Sequence, residues 1–351
     1  MRGKKILKKV GIVLLCIVLF VAAVLIFYTV REYRPKSIEF LETGNGTKTL
    51  SEGDSFSVLT YNTGYAALSK DEDFFMDGGS KVQPDSKDVV ETNLAGISDI
   101  LKSQNADFYF LQEVDIDAKR SFHINEREYY GDALGMSSIY ACNFKCDFVP
   151  YPIPPIGKVE AGLLTMTDYQ VESAKRIKLA ESFSWPIKTC NLKRCMLETR
   201  IPIEGTDKEL VLINFHLEAY DSGEGKKIQS QMLADKLQEE YEAGNYVIAG
   251  GDFNQTFEGV DTYEIHDTDN WVPGTVNKED LPDGFDFAVA DNAPTCRLLN
   301  EPYSGNYEDS QVYVIDGYIV SDNLQVDQVE VIDTDFEYTD HQPVSLRVTL
   351  Q

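Results

Sequence analysis

Five short polar groups, each flanking an apolar run, carry the chemistry that this chain can do. Asn62 follows Val58-Leu59-Thr60-Tyr61, and Gln112-Glu113 follows Phe108-Tyr109-Phe110-Leu111. His216 follows Leu212-Ile213-Asn214-Phe215, with Glu218 beyond it. Asp252-Phe253-Asn254 closes the run from Tyr246 to Gly251, and Asp340-His341 precedes the last apolar run. Alone, each has an ordinary explanation: a turn-forming Asn, a solvated Glu cap, a Gly-Gly-Asp turn. Their joint occurrence points elsewhere, because strand ends gather at one edge of an α/β sheet, where ligands bind. Carboxylate and amide oxygens are hard ligands of the kind that Mg²⁺ prefers, and Mg²⁺ binds through one or two carboxylates plus substrate phosphate. Two such histidines, without a GxSxG serine or a catalytic cysteine, suit activation of water rather than an acyl-enzyme.

The elements that must hold these residues can be read around them. Runs rich in Val, Ile, Tyr and Phe predict strands at 56–62, 108–114, 137–144, 161–166, 171–180, 194–203, 209–217, 246–252, 311–320, 326–332 and 343–350. Val90, Leu94, Ile97 and Leu101 recur at helical spacing and predict a helix over 86–104. Ile228, Met232, Leu233, Leu237 and Tyr241 predict a second over 226–243. Each helix lies between two strands, as in a βαβ crossover. The 171–180 and 194–203 runs leave no room for a helix and read as an antiparallel pair. The pattern is an α/β sandwich with mixed sheets. The 255–311 stretch is long, polar and rich in Asp, Asn and Gly, as functional and mobile loops are.

Six ordered motifs extend the pattern: Thr60-Tyr61-Asn62-Thr63, Leu111-Gln112-Glu113-Val114, Asn214-Phe215-His216-Leu217-Glu218, Gly251-Asp252-Phe253-Asn254, Ile315-Asp316-Gly317-Tyr318 and Thr339-Asp340-His341-Gln342. This set resembles the endonuclease/exonuclease/phosphatase (deoxyribonuclease I-like) superfamily over residues 56–350. Phe148-Val149-Pro150-Tyr151-Pro152 and Asn191-Leu192-Lys193-Arg194-Cys195 are similar to a bacterial membrane-anchored branch of it. The resemblance implies a four-layer α/β sandwich, with two mixed β-sheets flanked by helices, and metal-dependent hydrolysis of a phosphate ester or phosphodiester. It implies Glu113 as the principal ligand of Mg²⁺ (or Mn²⁺), with Asn62 beside it and Asp340 supporting the metal site. His341 becomes the general base or a phosphate-contacting imidazole, oriented by Asp316. Asp252 positions or deprotonates the attacking water, Asn254 holds a phosphate oxygen, and His216 stabilises developing charge. This chain departs from the pattern at Gly317, where many relatives have Tyr or His directly after the aspartate. If His341 must be neutral, activity falls as pH drops through its pKa, ordinarily about 6.5 and raised by an aspartate partner.

Three features fall outside those motifs. Arg297 and Arg347 are the only cations after Lys278, and Arg297 either pairs with carboxylates or contacts substrate phosphate. His123 and His266 read as loop histidines. The loop bearing Pro150, Pro152, Pro154 and Pro155 is stiff and apolar, and either lines the substrate rim or covers a sheet edge.

The N-terminus differs from everything after it. Residues 1–9 form a basic tail, and 10–30 run without a charge. As a helix those residues span about 31 Å, close to the roughly 30 Å bilayer core. No small-x-small cleavage site follows, so a retained transmembrane helix is expected rather than a signal peptide. The basic flank favours a cytoplasmic N-terminus and an extracellular remainder. Residues 31–55, with Pro35, Gly44, Gly46 and Gly53, read as a juxtamembrane linker before a catalytic domain at 56–351. The net charge is −26, and the first 36 residues carry eight cations and one anion, leaving −33 on the rest. Such a surface repels polyanions, so nucleic acid is disfavoured as a partner. A phosphorylated small molecule or a lipid headgroup is the expected substrate, the lipid bilayer the expected partner of the helix, and a monomer the expected state. A Cys142–Cys190 or Cys190–Cys195 disulfide is open to an exported domain.

Overall fold

The computed structural model of the chain describes residues 2–221, 223–260 and 263–351. Two mixed sheets pack face to face. The six-stranded sheet runs Leu324–Val331, Val344–Leu350, Ser55–Asn62, Phe108–Asp115, Gly157–Thr167, Ser137–Val149. The eight-stranded sheet runs Ile38–Phe40, Ser173–Lys178, Cys195–Glu204, Glu209–His216, Tyr246–Asp252, Asp316–Ser321, Phe285–Ala288, with Leu50–Ser51 beside Cys195–Glu204. Both predicted crossover helices are present, as α2 (Lys87–Gln104) and α4 (Glu224–Glu242). They join Ser55–Asn62 to Phe108–Asp115 and Glu209–His216 to Tyr246–Asp252, each pair parallel.

Period-two alternation sorts the side chains between layers. Phe56, Val58, Phe108 and Phe110 face the other sheet and form the central core with its Ile201, Leu210, Leu212 and Ile248. Leu59 and Tyr61 face outward, under Val90, Leu94, Ile97 and Leu101 of α2. On the far side Val211, Ile213, Phe215 and Val247 lie under Leu233 and Leu237 of α4. Helix, sheet, sheet and helix make the four layers. The Tyr318 hydroxyl ties the sheets together, 3.0 Å from the Val58 carbonyl and 2.7 Å from that of Val344. Gly250 admits its ring: a Cβ at this position would lie 2.3 Å from the Tyr318 ring.

Three expectations need correction. The 31–55 segment is not a free linker, since Ile38–Phe40 pairs with Ser173–Lys178 and Leu50 is fully buried in the central core. Strands of two or three residues leave no readable period. The 311–320 run divides into Val312–Tyr313 and Asp316–Ser321, because the Ile315 and Asp316 N–H groups donate to Thr295 Oγ1 instead of to a strand. The described part of the 255–311 stretch is ordered by short strands, including the edge strand Phe285–Ala288. A further helix, α3 (Glu126–Leu134), escapes the apolar period because its sequence is mostly polar. Its signals are local: the Asn125 side chain accepts from the Glu128 N–H, and Gly135 ends it with φ of 68°.

Helix α1 (Arg2–Arg31) is long and apolar enough to cross a membrane, and its apolar window is not buried against the domain. The six cysteines are free thiols. Cys190 packs into a cluster with Cys146 rather than with Cys142 or Cys195, so neither expected disulfide matches the packing.

Candidate active site

Strand register brings the polar groups together. Asn62 is level with Gln112 across one parallel pair, and His216 is level with Asp252 across the other. Asp252 is also level with Asp316 across the antiparallel neighbour. Five residues distant in sequence therefore stand on one edge of the sandwich. At its centre the Asn62 amide Nδ2 lies 3.0 Å from Asp252 Oδ2, 3.4 Å from Glu113 Oε1 and 3.4 Å from His341 Nε2.

Each member is held by its own neighbours. Glu113 sits at φ of 58°, at an irregularity where Phe108–Asp115 slips against Gly157–Thr167, so its side chain leaves the sheet plane. His341 Nδ1 is 2.8 Å from Asp316 Oδ2, so Gly317 does not disturb that pairing. The His341 Nε2 edge is thereby turned toward Asp252, 3.8 Å away. His216 Nε2 lies 3.4 Å from the same Asp252 oxygen, and its Nδ1 lies 3.9 Å from Glu113 Oε1. The Asn254 N–H donates to Asp252 Oδ1 at 2.8 Å and fixes the carboxylate. The Asn254 amide donates to the Leu217 carbonyl at 2.9 Å, so it is not free to hold a phosphate oxygen as expected, and only its oxygen is left to accept. Asp340 accepts from Thr339 Oγ1 at 3.1 Å.

The electrostatics divide these groups. Burial, then the charge of Asp316, pushes the Asp252 carboxyl up to about 7. Burial also raises Glu113, opposed by Arg120, and raises Asp340, opposed by His341. The two histidines move apart. Burial and the nearby Arg194 hold His216 well below its ordinary value, hence neutral. For His341 burial acts downward, but Asp316, through charge and hydrogen bond, together with Cys296 and Asp340, holds the imidazole well above its ordinary value. Titratable groups driven apart in one site are how acid and base roles are assigned.

Arg297 does not contact this centre as a substrate ligand. Its side chain is buried, and the guanidinium donates to the Ser69, Glu72 and Glu301 carbonyls rather than to carboxylates or into the cleft. Its backbone N–H donates to the Asp340 carbonyl, so it braces the site from behind. Arg297→Ala is expected to lower thermal stability by about 2–4 kcal/mol, through the stranded carbonyls. An unchanged melting temperature would sink this assignment. Glu218 also turns away, toward Arg194. His123 pairs with Asp117 at the surface, and His266 is exposed.

Several neighbours gave no sequence signal. Arg120 lies 3.5 Å over the Tyr65 ring, makes a double hydrogen bond to Asp115 and carries positive charge toward Glu113. Asn214 and Gln112 bond to each other between the sheets at 2.8 Å and stiffen the floor. Cys296 bridges to His341 through the backbone. Arg120 and Cys296 belong to no spacing pattern, and Gln112 and Asn214, though inside motifs, carry no sign of their pairing, because each role is defined by a partner remote in sequence.

The Endonuclease/Exonuclease/phosphatase family profile matches residues 59–341. The chain belongs to this family. It is accordingly a hydrolase acting on phosphoester bonds. Solved structures agree on the fold. An endonuclease/exonuclease/phosphatase protein from Beutenbergia cavernae DSM 12333 superposes with a TM-score of 0.61 at 16% identity, over 84% of this chain and 72% of its own. One from Bacteroides vulgatus gives 0.53 at 15% identity, over 85% and 100%. Truncated TDP2 from Caenorhabditis elegans gives 0.50 at 17% identity, over 85% and 99%. No curated protein matches the chain in sequence.

Members of this family typically use a divalent metal, and the donor set here suits a hard cation. Glu113 offers a partly exposed carboxylate. The Asn62 Oδ1 accepts one hydrogen bond, from the Gly64 N–H, and keeps a second lone pair. Asp252, Asp316 and His341 bring ligand atoms within 4.8 Å of one another, as do Cys296, Asp340 and His341. Both compact groups depend on the His341 ring, whose Nδ1 already engages Asp316. Glu113, Asn62 and Asp340 add oxygen donors of the kind that a hard cation takes.

Proposed function

We propose that this protein is a divalent-metal-dependent phosphoesterase that hydrolyses a phosphate ester or phosphodiester with an activated water, tethered by α1 to the outer face of a membrane. The observation that carries the reading is the Asn62 amide, in reach of Asp252, Glu113 and His341 at once. Glu113 and Asn62, with Asp340 in support, would hold the cation, which would neutralise phosphate charge when bound. Asp252 accepts the proton of the attacking water: its carboxyl lies near neutral pH, where a general base works best, and Asn62 and Asn254 aim it. His341, kept charged by Asp316, donates from Nε2 to a phosphate oxygen. Neutral His216 presents Nδ1, a buried atom without a partner, to the same charge. The Asn254 oxygen can accept from the water and orient it.

The tether follows from the apolar helix and its basic flank, which favour an extracellular catalytic domain. The acidic domain favours a phosphorylated small molecule or a lipid headgroup over nucleic acid. EDTA is expected to abolish hydrolysis of bis-p-nitrophenyl phosphate, with Mg²⁺ or Mn²⁺ restoring it. Glu113→Gln keeps the side-chain shape without the anionic ligand, and is expected to weaken metal activation at least about tenfold. Undiminished activity of that variant at limiting Mg²⁺ would remove Glu113 from the metal site. Assaying duplex and single-stranded DNA in parallel separates a nuclease from the favoured reading.

A further inference from the structure

Large apolar side chains stand in solvent around the end of α1, where the catalytic reading gives them no task. Phe148, Tyr151 and Ile153 lie on one turn, Trp185 and Ile187 on another, and Ile153 is 95% exposed. Monomeric proteins rarely cluster such groups in the open without a partner. The two turns pack together through Cys146 and Val149 against Cys190 and Leu192. Both are fastened to the helix end. The Trp185 indole N–H donates to Thr29 Oγ1 at 3.0 Å, Arg31 pairs with Asp147 at 2.6 Å, and buried Lys193 pairs with Glu32 at 2.9 Å.

This face also presents cations. Lys145, Lys158 and Lys188 at this end keep over a third of their side chains in solvent, each beside a carboxylate, in a strongly acidic chain. A connected set of contacts leads from it to the cleft. The Tyr151 ring lies 5.7 Å from that of Phe75. The segment leading to Phe75 is clamped by the Arg297 guanidinium through the Ser69 and Glu72 carbonyls, and the Arg297 N–H is bonded to Asp340.

We propose that this rim lies in the outer leaflet of the membrane that α1 crosses, and that the site takes phosphoesters held in that leaflet by their own hydrocarbon chains. The leaflet is the occupant because the rim surrounds the point where an apolar helix of bilayer length ends. Aromatic and aliphatic side chains flanked by basic ones suit that interface. The inference rests on α1 as a retained anchor and on the phosphoesterase reading. Since α1 alone keeps the protein on the membrane, the rim sets how the domain faces the lipid, not whether it is attached.

The test uses the full-length chain in vesicles of phosphatidylcholine and phosphatidylglycerol. With Trp271→Phe, Trp185 is the remaining tryptophan, and brominated phospholipid is expected to quench it. The variant Phe148→Ser/Ile153→Ser/Ile187→Ser changes exposed positions, and circular dichroism verifies its fold. It is expected to lose about tenfold in rate on hexadecyl p-nitrophenyl phosphate carried in the vesicles. On methyl p-nitrophenyl phosphate in water it should stay within about twofold. An unquenched Trp185 overturns the docking, and equal effects on the two diesters overturn the substrate class. Failure of the chain to float with the vesicles overturns the inference through the anchor reading. If the wild type cleaves neither diester, the phosphoesterase reading has failed, and quenching of Trp185 still decides the docking.

Discussion

Asp252→Asn is expected to abolish turnover and, at the same time, to make the metal-free protein harder to melt at pH 8. The first effect follows from its place as the base: a general acid or base contributes about 10²–10⁴-fold, and kcat should fall by at least that. The second follows from proton linkage. The Asp252 carboxyl is raised to about 7 in the fold, chiefly by burial, against about 3.9 in an unfolded chain. Its contribution to stability is therefore full below about pH 4 and is lost as pH rises toward 7. The neutral, isosteric Asn escapes that loss. The variant should melt on the order of 3 °C above wild type at pH 8 in EDTA, and close to it at pH 4. Calorimetry at the two pH values reads this directly. A variant that melts lower at both would show that Asp252 is a structural anchor and not a strained base. Mg²⁺ should stabilise the wild type more at pH 8 than at pH 5, because it favours the ionised cluster.

His341→Ala should lower kcat by about 10²–10⁴-fold and leave the protein folded. The role behind that loss is legible in the pH profile. From sequence, activity was expected to fall as pH drops through the pKa of a neutral His341. The structure moves that acid limb to Asp252, whose carboxyl titrates near 7 without metal and lower with a cation beside it. It gives His341 an alkaline limb instead, because Asp316 at 2.8 Å, with Asp340 and Cys296 nearby, keeps the ring charged against the pull of burial. Rate should rise as Asp252 ionises, at or below about 7, and fall only at distinctly higher pH. Asp316→Asn removes the charge that holds His341 protonated, so the alkaline limb should move to lower pH while the acid limb stays. That shift separates positioning through His341 from mere structural support. An alkaline limb that is unchanged in Asp316→Asn would exclude His341 as its source.

The two effects share a physical origin. Asp252 and Asp316 are adjacent in register, buried, and close to two histidines of opposite tendency. Removing one charge changes the proton affinity of the others, so double variants at these positions should not be additive.

The fold was legible in the sequence to the extent that its order is local. Alternation in Ser55–Asn62 and the spacing of Val90, Leu94, Ile97 and Leu101 follow from side-chain geometry alone, as do the strand ends bearing Asn62, Glu113, His216 and Asp252. The apolar run of α1 is equally local, and its length is set by the bilayer it matches. What tertiary structure decided is pairing and proton affinity. Arg297 read as a carboxylate partner or a phosphate ligand, yet it serves carbonyls 225 and 228 residues away, because a guanidinium enclosed by the fold takes whatever acceptors the fold brings to it. Ile38–Phe40 and Leu50 joined the sheet despite glycines and a proline nearby, since two neighbouring strands supplied what three residues cannot specify alone. The opposite states of His216 and His341 depend on which charge stands at 3 Å and how much water is excluded. Those quantities belong to the assembled site, because Coulomb energy and desolvation depend on distance in space and not on distance along the chain.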